Sequence, residues 1–205
     1  MASTLIKFHL ESAIKSNRYF SQAHYELAKI FLEEQNIKSA IKSLESAINS
    51  ALEQSLSSDK KAKYLLKNRQ FSQAKQYMFK MGLSKYNTSI YLSKLAQIYL
   101  DSNDLENAKI NALQSLEEYP NQHTAMYILG CIYASNNKWG KASKWFSKSL
   151  ELNFKDAMTH FSLAKVKQKQ KNPKEAIHHY LIAKDLDQCI SSISLDKLSK
   201  KYPEF

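Results

Sequence analysis

One short stretch of the chain combines aromatic and basic residues as nucleic-acid-binding surfaces do. The segment NNKWGKASKWFSKSLELN, residues 136–153, holds two tryptophans, one phenylalanine and four lysines but a single acidic residue. Lysines neutralise phosphates, and aromatic rings stack on bases. The alternative is that these aromatic residues belong to the core of a helical repeat. The sequence around the segment decides between the two.

Residues capable of catalysis or metal binding lack a usable spacing. The six histidines are scattered, and the adjacent His178 and His179 would point in different directions from a helix. Cys131 and Cys189 each stand alone, which gives neither a metal-ligand pattern nor a disulfide framework. We find no glycine-rich phosphate loop, nucleophile elbow or HExxH helix. We therefore predict a protein without catalytic residues, cofactor or metal.

Composition predicts an all-α protein. The chain has 205 residues, 43% of them hydrophobic, but only three glycines and three prolines. This composition favours helices joined by short polar turns over a strand-rich fold. The chain shows no signal peptide and no run of ~18 apolar residues that could span a membrane. We expect a soluble, cytoplasmic protein.

A fixed period organises most of the chain. Equal blocks begin at Ser21, Ser55, Ser89, His123 and Ala157 without any insertion, and their twentieth residues are Ala40, Ala74, Ala108, Ala142 and Ala176. The eighth residues are equally small: Ala28, Ala62, Ala96, Gly130 and Ala164. Apolar residues three and four apart predict two amphipathic helices in each block. Such a unit cannot bury its apolar faces alone, so the units must stack.

The pattern of small and large residues resembles the tetratricopeptide repeat (TPR) family. Two segments carry the resemblance most fully: MYILGCIY followed by KASKWFSKSLELN, and IYLSKLAQIYL followed by ENAKINALQSLEEYP. The resemblance implies a right-handed α-solenoid whose first helices line a concave groove. In this register Trp139 and Phe146 pack between repeats, and the lysines around them face solvent. The basic-aromatic stretch is thus interpreted as one helix of a repeat.

The period predicts the domain organisation. We expect five units, at residues 21–54, 55–88, 89–122, 123–156 and 157–190. Residues 1–20 form a half-repeat or capping helix, which a longer array cut at this point would also show. Residues 191–205 form a C-terminal capping helix.

The second unit departs from the pattern and carries most of the net charge. Lys61 stands where leucine is expected, and Gly82 weakens the second helix by ~1 kcal/mol. The preceding helix could run on and leave SSDKK as an irregular junction, which we predict to be the weakest place in the stack. Residues 55–88 hold eight basic residues and one acidic residue, whereas the units on either side have net charges of −2 and −3. Such a cluster is either a solvated face or an electrostatic landing site.

The resemblance also implies which residues face the groove. These are lysines beside aromatic and apolar residues, and they would suit an acidic segment with apolar anchors. The predicted partner-binding residues are Tyr25, Lys29, Lys60, Lys63, Lys67, Lys94, Gln97, Tyr127, Ile128, Met158, Phe161 and Lys165.

The sequence therefore predicts a non-catalytic protein–protein interaction scaffold. It would bind a peptide segment or partner protein in the concave groove and help to assemble or localise a complex. One alternative is self-assembly into a structural coat, since arrays of this kind can stack end to end. Another is RNA binding, which the acidic first and third units disfavour because they interrupt a continuous phosphate track.

Overall fold

A computed structural model describes residues 2–17, 20–68 and 70–187. Over these ranges the chain forms helices and turns without a β-strand. The helices are α1 (Ala2–Ser16), α2 (Ser21–Glu33), α3 (Ile37–Lys67), α4 (Phe71–Asp101), α5 (Leu105–Glu118), α6 (His123–Ser135), α7 (Trp139–Leu152), α8 (Ala157–Lys169) and α9 (Pro173–Leu186). The predicted cap at residues 191–205, and Cys189, lie outside the described residues. The structure is an all-α helical repeat solenoid.

The turns inside the units recur with the period of the sequence. Each described turn places one residue in the left-handed region, namely Gln35, Asn103, Asn137 and Lys171, with φ between 55° and 60°. The next residue then donates its backbone N–H to a carbonyl in the last turn of the preceding helix, as Asn36 does to Phe31 at 2.8 Å. This geometry satisfies carbonyls at the helix end and reverses the chain within a few residues.

Two helices are about twice as long as a repeat helix. α3 and α4 each contain 31 residues, so the predicted unit boundaries after residues 54 and 88 fall inside continuous helices. α3 passes through SSDKK without the irregular junction expected there. The sequence explains the difference, because neither boundary contains a proline or a capped break. By contrast, Pro120 follows α5, and Asp156 accepts hydrogen bonds from the backbone N–H groups of Met158 and Thr159 at the start of α8.

The long helices form an antiparallel hairpin that brings the first and third predicted units into direct contact. The inner part of α3, including Leu44 and Ile48, packs in one cluster with Tyr91 and Leu95 of α4. α2 joins this cluster through Ala28. The Tyr25 and Tyr91 rings lie 4.8 Å apart, and the Tyr91 hydroxyl donates to the side chain of Gln22 at 3.3 Å. The first helix of the predicted second unit therefore does not lie between α2 and the end of α4.

Residues 55–84, hereafter the outer hairpin, extend beyond this cluster. Small side chains mark the α3–α4 contact there: Ser55, Ala62, Ala74 and Ser84 are buried together with Leu65. Several large apolar side chains remain exposed, among them Leu56 and Phe79. The sequence period is preserved along the chain, but this copy forms the end of a long hairpin.

From residue 89 onwards the units stack regularly. Ser115 on α5 donates to the backbone carbonyl of Ser89, and Ser149, one period later on α7, donates to that of His123, both at 2.9 Å. Phe146 is 1% exposed and packs with Ala142, Leu150 and Leu163. Trp139 packs against the same cluster, while Lys138, Lys141, Lys144 and Lys148 are exposed. The interpretation of residues 136–153 as a repeat helix with core aromatic residues is confirmed.

Candidate functional site

Three of the predicted binding residues, carried by α2 and α4, lie at one cleft. Tyr25 of α2 and Lys94 and Gln97 of α4 border a cleft of about 330 Å³, hereafter the N-terminal cleft. Tyr86, Ile90 and Ser93 of α4 complete one wall, and Gln122, His123 and Thr124 at the start of α6 form the other. The cleft exists because α2 packs directly against α4. It combines an aromatic wall, a lysine ammonium and amide and hydroxyl groups.

Lys29 lies one turn beyond Tyr25 on α2. Its ammonium forms an ion pair with Glu26 at 2.6 Å and lies 5.6 Å from the centre of the Tyr25 ring. The hydrogen bond to Glu26 raises the pKa of Lys29 above its usual value. Gln97 donates to Asp101 at 2.7 Å. Intrahelical carboxylates thus orient the predicted polar residues beside the cleft.

A second group of predicted residues lies on α6 and α8. Tyr127 is half-buried with its ring 5.8 Å from Phe146, and burial raises the pKa of its hydroxyl. Lys165 extends over the Phe161 ring at 5.4 Å. Lys165 also borders a cleft of about 430 Å³ with Cys131, Ser135, Trp139 and Lys169, hereafter the C-terminal cleft. Burial raises the pKa of the Cys131 thiol to about 11, so this thiol is not a nucleophile near neutral pH.

Two parts of the predicted groove need correction, and the first is Ile128. This side chain is 0% exposed and packs with Ala108, Ala112 and Ala125, so it cannot contact a partner without disrupting the core. By contrast, Met158 on α8 is 45% exposed, which leaves its side chain accessible.

The second correction concerns the lysines of the second unit, which do not join the groove. Lys60, Lys63 and Lys67 are exposed on the outer hairpin, and Lys63 pairs with Asp59 at 2.8 Å. Lys60 borders a different cleft, together with Tyr77 and Lys80. The continuous row of lysines expected between Tyr25 and Lys94 is therefore interrupted, because the outer hairpin does not stack between the first and third units.

The comparisons with known proteins agree with this architecture. The sequence matches one tetratricopeptide repeat family profile over residues 93–157 and another over residues 21–54. The chain is a tetratricopeptide repeat protein. The two matched segments lie on either side of residues 55–92, which include the outer hairpin. No curated protein matches the chain.

Solved structures of low sequence identity share the TPR fold. A crystal structure of MamA superposes with a TM-score of 0.57 at 13% identity, covering 87% of this chain and 85% of that one. Pseudomonas aeruginosa PilF gives 0.50 at 16% identity, covering 98% and 90%. The Cut9–Hcn1 structure of the APC/C gives 0.51 at 18% identity, covering 95% of this chain and 38% of that one. These similarities establish the fold, which in TPR proteins generally serves protein–protein interaction.

The sequence predicts neither a metal site nor a membrane-spanning helix in the described part of this TPR protein. Among the described residues, no group of three or more histidine, cysteine, aspartate or glutamate side chains is arranged to hold a metal ion. None of the described helices is both long enough and apolar enough to cross a membrane.

A pair of histidines links α8 and α9. Nδ1 of His160 on α8 lies 3.0 Å from Nδ1 of His179 on α9, and Nε2 of His160 lies 2.9 Å from the backbone carbonyl of Phe154. Because that carbonyl can only accept, His160 donates through Nε2 and accepts through Nδ1, and His179 supplies the shared proton. In the sequence the six histidines are only scattered, and His160 and His179 lie 19 residues apart. A pair formed between two helices has no local signature in the sequence.

This pair should make the stability of the chain depend on pH. Burial lowers the pKa of both histidines, that of His179 to about 4, with the neighbouring His160 and His178 contributing. Lys167 also lowers the pKa of His179, whereas Glu175 raises it. Below pH ~6.5, the ordinary pKa of histidine, the unfolded chain therefore binds more protons than the folded chain. The contribution of the pair to the free energy of unfolding is fully present above this pH and decreases as the pH falls towards 4. Allowing for solvent screening, we expect the free energy of unfolding to decrease by ~1 kcal/mol between pH 7 and pH 5.

The measurement is urea unfolding at pH 7 and pH 5 for the parent chain, His179→Gln and His178→Gln. The His179 variant should lose less stability on acidification than the parent. His178 is exposed on the same helix and contributes less to the pKa shift of His179 than burial and His160 do, so its variant should lie closer to the parent than the His179 variant does. Equal losses in all three proteins would show that the histidine pair does not titrate as described.

Proposed function

We propose that the chain is a non-catalytic scaffold that binds an acidic peptide segment or partner protein along its first helices. The binding surface consists of the N-terminal cleft and the C-terminal cleft. The observation that carries the proposal is the convergence of Tyr25, Lys94 and Gln97 from two helices on one cleft. Binding at this surface would hold a partner in place and so assemble or localise a complex.

The chemistry of the two clefts supports an acidic partner with apolar anchors. Each cleft places lysine beside aromatic side chains: Lys94 with Tyr25 and Tyr86, and Lys165 with Trp139. Lysines attract an acidic segment, and aromatic walls bury its apolar side chains. Amide and hydroxyl groups in the N-terminal cleft add partners for an extended backbone.

Binding to a peptide array of graded acidity and apolar content tests the proposal. The groove variant carries Lys94→Glu and Lys165→Glu. The matched control carries Lys60→Glu and Lys67→Glu, the same charge change placed on the outer hairpin. We expect the groove variant to bind acidic peptides with apolar anchors about tenfold or more weakly than the parent chain does, because each charge reversal replaces attraction with repulsion.

The matched control separates a local effect from a change of net charge. If both variants lose the peptides equally, binding depends on overall charge and the groove assignment is wrong. If the parent chain selects no acidic-apolar peptide, the proposed partner chemistry is wrong.

A further inference from the structure

The outer hairpin exposes several large apolar side chains within a short part of the chain. Phe79 is 74% exposed, Leu56 61% and Tyr64 60%, and Leu83 is half exposed. Tyr64 occupies the repeat position at which stacking buries Ile98, Ile132 and Val166 in the later units. Here the hairpin extends past the core, so Tyr64 faces solvent together with the other three side chains. Exposed apolar groups concentrated in one place indicate a binding surface.

Positive charge surrounds these apolar groups. Between residues 60 and 85 the sequence contains seven lysines, all of them exposed. Two acidic residues precede this stretch: Asp59, which is already paired with Lys63 at 2.8 Å, and Glu53, which borders the cleft between the two helices. The surface therefore combines strong positive charge with exposed apolar side chains.

The two helices contribute to the same side of the hairpin. Leu56 and Lys60 of α3 and Lys80 and Leu83 of α4 border one cleft of about 910 Å³. Phe79 precedes Leu83 by one helical turn, and Tyr64 follows Lys60 by one turn. The apolar and basic side chains thus form one continuous patch, hereafter the hairpin patch.

Two lysines near the patch contact the rings of neighbouring tyrosines. The ammonium of Lys61 lies 5.3 Å from the centre of the Tyr64 ring, and that of Lys80 lies 5.1 Å from the Tyr77 ring. These cation–π contacts hold basic groups directly beside the aromatic side chains of the hairpin.

We propose that the hairpin patch binds the surface of an anionic lipid bilayer. The lysines contact acidic headgroups, and Phe79, Leu83 and Leu56 enter the boundary between headgroups and acyl chains. Surface helices with lysines beside phenylalanine and leucine bind membranes in this way. The contact is peripheral.

The side chains of the patch favour lipid over nucleic acid or an acidic protein. Leu56 and Leu83 cannot stack on bases or pair with them, and the most exposed ring, Phe79, has no polar atom. The large side chains carry few hydrogen-bonding groups that would specify a protein partner. The patch thus has positive charge and apolar side chains but few groups placed for specific hydrogen bonds. A fluid anionic bilayer requires no such specific bonds, because apolar insertion and electrostatic attraction together provide the binding.

Vesicle co-sedimentation of the full chain tests the proposal at physiological ionic strength. The probes are vesicles of phosphatidylcholine alone and of equal parts phosphatidylcholine and phosphatidylserine. We expect binding to the anionic vesicles to be tighter by about tenfold or more, since each lysine near the surface contributes about fivefold.

Paired variants separate the two contributions. The apolar variant is Phe79→Ser with Leu83→Ser, and its control is Leu113→Ser with Leu181→Ser, which are exposed on α5 and α9. The basic variant is Lys60→Gln with Lys80→Gln, and its control is Lys138→Gln with Lys144→Gln, which are exposed on or beside α7. Both hairpin variants should weaken binding by about tenfold or more, and both controls should bind as the parent does. All the substituted side chains are exposed, and circular dichroism verifies that each variant is folded.

Three results would overturn the proposal. They are no binding to anionic vesicles, equal losses in hairpin and control variants, and a single-stranded RNA oligonucleotide that binds more tightly than the vesicles. The groove variant Lys94→Glu with Lys165→Glu should keep vesicle binding. Failure of the peptide scaffold proposal and failure of the lipid proposal are thereby distinguishable.

Discussion

Alanine in place of Phe146 should lower the free energy of unfolding by ~3–5 kcal/mol, the cost of emptying a site of this size in a packed core. Phe146 is 1% exposed and lies among α6, α7 and α8, in contact with Tyr127 and the cluster around Leu163. Chemical denaturation followed by circular dichroism measures the loss. A loss below ~1 kcal/mol would contradict the packing described here.

Gly130 provides a sharper version of the same test. A Cβ atom at this position would lie 2.5 Å from Cε1 and 2.6 Å from Cδ1 of Phe146. Gly130→Ala should therefore cost ~1–3 kcal/mol through overpacking, even though alanine has the higher helix propensity. In the Phe146→Ala background the clash disappears, and the same substitution should be neutral or stabilising. Additive losses would mean that the two residues are not coupled.

Tyr91→Ala should lower the free energy of unfolding by ~3 kcal/mol or more, with the largest effect at α2. Tyr91 is fully buried, stacks near Tyr25 and bonds Gln22, so it joins α2 to α4. Hydrogen exchange should show lost protection in α2 and retained protection in α7 to α9, because repeat arrays lose stability locally.

Tyr64→Ala is the matched control for Tyr91→Ala. Tyr64 is exposed on the outer hairpin, so its replacement should change stability by less than ~0.5 kcal/mol. Unchanged protection in α2 after loss of Tyr91 would contradict direct contact between α2 and α4.

The sequence predicts the repeat architecture because small residues mark every close helix contact. Ala40, Ala74, Ala108, Ala142 and Ala176 are all 0% exposed, as the period requires. It also predicts that Phe146 belongs to the core. The long hairpin is less evident, because its cause is the lack of a helix-stopping residue at two boundaries. The absence of a proline at a boundary does not by itself distinguish one continuous helix from two shorter ones. The outcome depends on which of the two arrangements packs better.

The candidate site could be predicted only in part. The register assigns Tyr25, Lys94 and Gln97 to the groove, but they meet at one cleft because the outer hairpin does not stack between their units. The structure adds Tyr86, which the register does not place beside them. The register assumes that every unit occupies one place in the stack, and this assumption misplaces Lys60, Lys63 and Lys67. The register also assigns Ile128 to the groove, but packing against α5 buries it.

The continuity of α3 and α4 has a mechanical consequence. About sixteen residues of α3 extend from Leu52 to Lys67 without a break, which at ~1.5 Å per residue gives an arm ~24 Å long. Two uninterrupted helices packed side by side resist bending far better than a loop of equal length. A load at the end of this arm would therefore be transmitted to the junction at Tyr91 as torque, and the arm would act as a lever.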